Sequence, residues 1–182
     1  GQLGLGDTIS RSSPVQVGAL TTWLNIGSGK GGSPAAFAIK TDGTLWAWGT
    51  GVAGKLGLGN TTSYSSPKQV GALTNWFSIS AGAYHSIGVK TDGTIWSWGN
   101  NGQGQLGLNN ATNYSSPKQV GALTTWSSSA SGQYFSSAVT STGYLWSWGI
   151  NNYGNLGLGN TTYYSSPKQV GALNNWLLIA AA

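Results

Sequence analysis

The chain has 182 residues and a net charge of +5, from eight Lys and Arg against three Asp and no Glu, so the charge reflects scarce acid more than abundant base. No Lys/Arg cluster is present, which argues against nucleic acid or an anionic membrane as partner. The absence of Cys excludes disulfides and thiolate metal sites, and no apolar run reaches membrane-spanning length and no signal peptide is visible.

Ten Trp and eight Tyr stand against three Phe. Low charge with much Gly, Ser, Thr and Asn is a composition shared with disordered chains, but the periodic Trp, Leu, Ile and Val point to a repeat-built β protein. Residues 1–22 read as the back half of a unit, with a Gly-rich loop and a short strand around Val15 to Val17. Opening in mid-repeat and lacking Met, the chain is expected to be a processed product or an internal portion of something longer. Units follow at 23–75, 76–125 and 126–175, and a partial one at 176–182. Their leading leucines, Leu3, Leu56, Leu106 and Leu156, are spaced 53, 50 and 50 residues apart. Such a period marks units that bury their apolar faces against one another. The extra length of the first full unit falls in GSGKGGSPA, which reads as a longer surface loop.

The second unit is the clearest. Trp76 to Ala81 alternates as a strand with Phe77 and Ile79 on one side, and Ser86 to Lys90 supplies a second with Ile87 and Val89 together. Asp92-Gly93 fits the positive φ angles of a tight hairpin. Thr94 to Gly99 places Trp96 and Trp98 on one face, and Ser116 to Val120 makes an edge strand that tolerates Pro117. Four short strands in about 50 residues, with no helical period, are the size of a propeller blade. In the third unit Ser127 and Ser129 replace Phe77 and Ile79, giving looser packing or a first strand nearer solvent. A strand at Trp176 to Ile179 opens a fourth unit. The expected fold is all-β: three complete four-stranded blades with a strand at each end, whose open edges call for further blades from the same chain or another copy.

Ala83 to Gly99, Gly104-Gln-Leu-Gly107 and Ser116-Pro117 resemble the RCC1 repeat family, and the likeness extends over essentially the whole chain. The resemblance implies a seven-bladed β-propeller, about half of which this chain would supply, closed by a blade built from both chain ends. For the family the resemblance implies guanine nucleotide exchange on a small GTPase and chromatin binding, an activity not carried over to this chain. Near-identical units and scarce acid instead resemble the low-charge RCC1-type arrays of bacterial and phage surface proteins.

Gly49 to Lys55 matches the phosphate-cradling GxxxxGK pattern, but Leu56 stands where Ser or Thr is needed. Gly102 to Gly107 matches GxGxxG without the helix or acidic partner that dinucleotide binding requires. His85 is the sole histidine and reads as a packed structural residue. Asp42 and Asp92 sit in turns, so acid–base and nucleophilic chemistry lack their parts; no catalytic residue, metal site or cofactor is expected. Trp46, Trp48, Trp96, Trp98, Trp146 and Trp148 are assigned to the core between blades, with a stacking platform as the alternative. Tyr64, Tyr114 and Tyr164, in the loop before Ser-Ser-Pro, and Lys68, Lys118 and Lys168, on an arc around the ring, are the candidate partner-binding residues. Tyr84, Tyr134 and Tyr153 break the symmetry of the units. Asn60, Asn110, Asn113 and Asn160 lie in glycosylation frames that so Asn/Thr-rich a chain produces by chance. The chain is thus expected to be a non-enzymatic structural or binding module, facing protein or glycan, of an extracellular, cell-surface or virion assembly. A GTPase regulator and a lectin-like binder are the alternatives.

Overall fold

The computed structural model describes residues 1–19, 21–29 and 34–181. Within them twelve strands form three four-stranded antiparallel sheets. The first holds β1 (Trp23–Ser28), β2 (Ala35–Lys40), β3 (Leu45–Gly49) and β4 (Tyr64–Gln69). The second holds β5 (Trp76–Ala81), β6 (His85–Lys90), β7 (Ile95–Gly99) and β8 (Tyr114–Gln119). The third holds β9 (Trp126–Ser131), β10 (Phe135–Thr140), β11 (Leu145–Gly149) and β12 (Tyr164–Gln169). Each sheet is a meander in chain order, so each unit of the sequence is one blade. Of the long loop expected at residues 27–35, Gly27 and Ser28 belong to β1 and Ala35 to β2, and residues 30–33 lie outside the described residues.

The first strands lie side by side at the inner edge. Ser80 Oγ of β5 accepts the N–H of Ser131 of β9 at 3.0 Å, and a Cβ at Gly27 of β1 would sit 2.9 Å from Ile79. The fourth strands therefore form the outer edge, where Pro67, Pro117 and Pro167 lie. These strands begin at Tyr64, Tyr114 and Tyr164, two residues before the Ser expected from sequence.

The core lies between sheets. Phe37, Ile39 and Leu45 of the first blade pack with Trp76, Ile79 and Trp98 of the second. Ile87, Val89, Ile95 and Val120 of the second pack with Trp126, Ala138 and Trp148 of the third.

Three details differ from the sequence reading. A bulge between Trp76 and Ser78 shifts the register of β5, so Phe77 turns outward (56% exposed) while Ile79 stays buried. In the hairpins only glycine takes positive φ, Gly43, Gly93 and Gly143 at 74–82°, and Asp42 and Asp92 do not. Each Asp instead caps its turn, Asp92 Oδ1 accepting from the N–H (2.9 Å) and hydroxyl (2.6 Å) of Thr94.

The flanking strands are the third difference. Among the described residues, neither Val15 to Val17 nor Trp176 to Ile179 forms a strand. Trp176 does begin in register, its N–H donating to Gly143 O at 3.1 Å as Trp76 and Trp126 donate to Gly43 and Gly93. Leu177 and Leu178 beyond it are more than three-quarters exposed. Among the described residues, neither segment pairs with a neighbouring strand in a ladder.

Candidate functional site

Between blades the structure is built around one backbone carbonyl. Trp98 Nε1 donates to Lys55 O at 2.9 Å, and Ser86 Oγ donates to the same oxygen at 2.9 Å. One blade further on, Trp148 Nε1 (2.9 Å) and Ser136 Oγ (2.8 Å) donate to Gln105 O. Trp48 Nε1 donates to Gln2 O at 2.9 Å, with Ala36 where the hydroxyl would be. The loop must then pass under the indole, and it does so on glycine. Gly4, Gly57 and Gly107 have φ of 73–75°, and a Cβ on any of them would lie 2.8 Å from the Trp Nε1.

Trp48, Trp98 and Trp148 are accordingly buried. Trp46, Trp96 and Trp146 are half-buried at the rim. Trp96 donates to Thr94 Oγ1 at 2.9 Å and lies under Lys90 Nζ, 3.7 Å from the ring centroid. Trp46 has the same pair in Thr44 and Lys40. In the third blade Thr140 and Tyr144 replace these partners, and Trp146 Nε1 is buried without a hydrogen bond. All six sit in packing positions within or beside the seams.

Lys55 is buried, its Nζ donating to Ala83 O at 2.9 Å, and burial pushes its pKa down to about 8. It thus meets a carbonyl of the next blade, and only a single 3₁₀ turn, Val52–Gly54, precedes it. Here the phosphate-loop pattern is a seam loop. His85 is fully buried; Ser136 donates to Gln105 O, so His85 Nε2–H donates to Ser136 Oγ at 2.8 Å. Burial holds this imidazole neutral, with its pKa pushed down to about 3.

The candidate contact residues come together in pairs, one pair per blade. Lys68, Lys118 and Lys168 Nζ lie 5.8, 5.5 and 5.4 Å from the ring centres of Tyr64, Tyr114 and Tyr164. Both members sit on the outer strand, Lys exposed and Tyr half-buried. Asn60, Asn110 and Asn160 each donate Nδ2–H to the Tyr hydroxyl (3.3–3.4 Å) and accept the N–H two residues on at 2.9 Å. These asparagines serve as loop staples.

Tyr84 and Tyr134, fifty residues apart, stack with centroids 5.1 Å apart and ring planes 19° apart. No local spacing announces that contact; only superposing the units would. Tyr134 has its pKa raised, by desolvation first and by the neighbouring Tyr84 second. On the opposite, hairpin end, a groove of about 570 Å³ between the first two blades is lined by Leu24, Asp42, Asn75 and Phe77 among others. Among the described residues, no three His, Cys, Asp or Glu side chains gather as metal ligands, and no helix is long and apolar enough to cross a membrane.

Radially packed four-stranded meanders joined by buried indoles define a β-propeller portion. The profile of the regulator of chromosome condensation (RCC1) repeat matches residues 42–89, 92–139 and 142–182, and a second RCC1 repeat profile matches 78–105. The chain belongs to the RCC1 repeat family. Its structure is similar to Prp20p from Saccharomyces cerevisiae, a protein described by its binding to Gsp1p and histones (TM-score 0.81, 23% identity, 94% of this chain and 44% of that one). It is also similar to human WBSCR16 (TM-score 0.73, 17% identity, 92% and 44%). By sequence it is 40% identical over 70 residues to the X-linked retinitis pigmentosa GTPase regulator of Canis lupus familiaris and 37% identical to the Homo sapiens protein. That match takes in 38% of this chain and 7% of those proteins, so the chain spans a small part of the relatives it matches and under half of the similar structures. Repeats of this family build binding or regulatory modules.

Proposed function

We propose that this chain is a non-catalytic RCC1-type propeller module, facing protein or glycan, in an extracellular, cell-surface or virion assembly. Further blades from the same chain or another copy would complete its ring. The carrying observation is where the polar side chains go. His85, Lys55, Ser86 and Ser136 are buried in seams and hold blades together, and Asp42 and Asp92 cap turns. The sparse charge and near-identical blades suit a scaffold that presents loops. Pull-down from candidate surfaces, with a glycan array, tests it: a specific ligand with no turnover is expected, and no ligand of either kind would remove it.

A second reading, a GTPase regulator, is favoured by the likeness to Prp20p and to the retinitis pigmentosa GTPase regulators. Release of a fluorescent guanine nucleotide from small GTPases separates the two. Clear acceleration by the chain would replace the first reading with the second.

A further inference from the structure

We infer that the loop end of the second and third blades, centred on Tyr84, Tyr134 and Tyr153, is a binding site for a neutral oligosaccharide. The inference rests on the binding-module reading above and names its ligand and its face.

Strand topology fixes the face. First and third strands of a meander run the same way, so the loops that leave them emerge at one end of each blade. The N–H of Asn100 donates to Tyr84 O, and that of Ile150 to Tyr134 O, each at 3.0 Å, tying the two loops of each blade together. The hairpins, with Lys90 and Asp92, emerge at the other end.

The units agree closely where they pack, and Tyr-Ser-Ser-Pro-Lys-Gln-Val-Gly-Ala-Leu is identical in all three. On the loop end they part. Where the first blade has Pro34, Ala53 and Ser63, the second has Tyr84, Gln103 and Asn113, and the third has Tyr134, Tyr153 and Tyr163. Within these three blades Tyr153 is 95% exposed and Tyr163 41%. The stacked pair adds two half-buried rings from neighbouring blades.

The chemistry of the patch selects the ligand. Among the described residues its exposed polar groups are amides and phenols, including Gln133 and Asn152, with no exposed Lys, Arg or Asp. Lys55, whose Nζ donates to Ala83 O beside Tyr84, is buried. Among the described residues of this patch, phosphate, sulfate or carboxylate would find no exposed counter-charge. A pyranose ring presents an apolar C–H face to an aromatic ring and hydroxyls to amides, and matches both.

The test titrates cellohexaose, chitohexaose, maltohexaose and mannohexaose into the 182-residue chain, with heparin hexasaccharide as an anionic control, by calorimetry and saturation-transfer NMR. At least one neutral hexasaccharide is expected to bind, with transfer to its ring C–H protons, and heparin is not. The Tyr84→Ala/Tyr134→Ala pair should weaken binding about tenfold or more, equivalent to roughly 1.4 kcal/mol, and Tyr153→Ala by about threefold. Tyr114→Ala, on the outer strand, should leave it unchanged. Tyr84→Phe/Tyr134→Phe keeps the stack and should retain binding, which guards against misfolding of the Ala pair. Absence of transfer from every neutral sugar at millimolar concentration overturns the site, as does unchanged affinity in a folded Ala pair. A protein ligand captured by a chain that binds no sugar would overturn this inference and leave the module reading standing.

Discussion

The two complete seams of the molecule differ in side chains and agree in geometry. Trp98 closes on a loop whose accepting residue is Lys55, and Trp148 on one whose accepting residue is Gln105, yet both indoles reach a carbonyl at 2.9 Å. The acceptor belongs to the backbone, so the side chain above it is free to take another task. Lys55 reaches forward to Ala83 O, whereas Gln105 reaches back to Asn100 Oδ1 at 2.7 Å. The rim is the opposite case. There Trp96 depends on the side chains of Thr94 and Lys90, and Trp146, without counterparts, is left with an unpaired N–H. Seams tolerate exchange because the main chain carries them; rims do not.

Removing the indoles has the largest expected effect. Trp98→Ala or Trp148→Ala should lose about 3–5 kcal/mol in denaturant unfolding, from cavity and transfer terms. Trp96→Ala should lose about 1–2 kcal/mol, since it forfeits a cation–π contact and one hydrogen bond. Equal losses at seam and rim would contradict the distinction.

Acid comes next. His85 is neutral in the fold with its pKa near 3, against an ordinary 6.5. The unfolded chain therefore binds the extra proton first, and stability falls as pH drops through that window by up to about 1.4 kcal/mol per unit. Urea midpoints measured from pH 7 to pH 4 should show this slope, and His85→Phe, the residue of the third blade at Phe135, should flatten it. A slope that survives the substitution would place the titrating group elsewhere.

A smaller effect separates a closed seam from an open one. Gly107→Ala and Gly157→Ala both place a side chain at positive φ, costing about 1 kcal/mol. Only at Gly107 does the new Cβ also meet an indole, so its loss should be about 1–2 kcal/mol greater. The smallest change sharpens the rim: Thr140→Lys with Tyr144→Thr gives Trp146 the partners of Trp96 and should raise stability by about 0.5–1 kcal/mol.

Strand number and blade size were legible because they follow from alternation and a fixed period. The bulge at Trp76 was not, since a one-residue register shift leaves no local trace, and Phe77 reads as interior by hydrophobicity alone. Lys55 imitated a nucleotide loop because its use is set by Ala83, which the fold brings near from the next blade. Tyr64 reads as loop from the polar residues before it, but Gly99 supplies the pairing that draws the equivalent Tyr114 into a strand. The Tyr84–Tyr134 stack was illegible for the same reason of distance along the chain.

Each unit carries its own hook, an indole N–H, and its own eye, a carbonyl over glycine. Nothing in that fastening names a particular neighbour, because both of its halves recur in every blade. A tandem copying error in the coding DNA would add a vane that already carries both halves of the same fastening. Diversity then collects on the loops that no fastening uses.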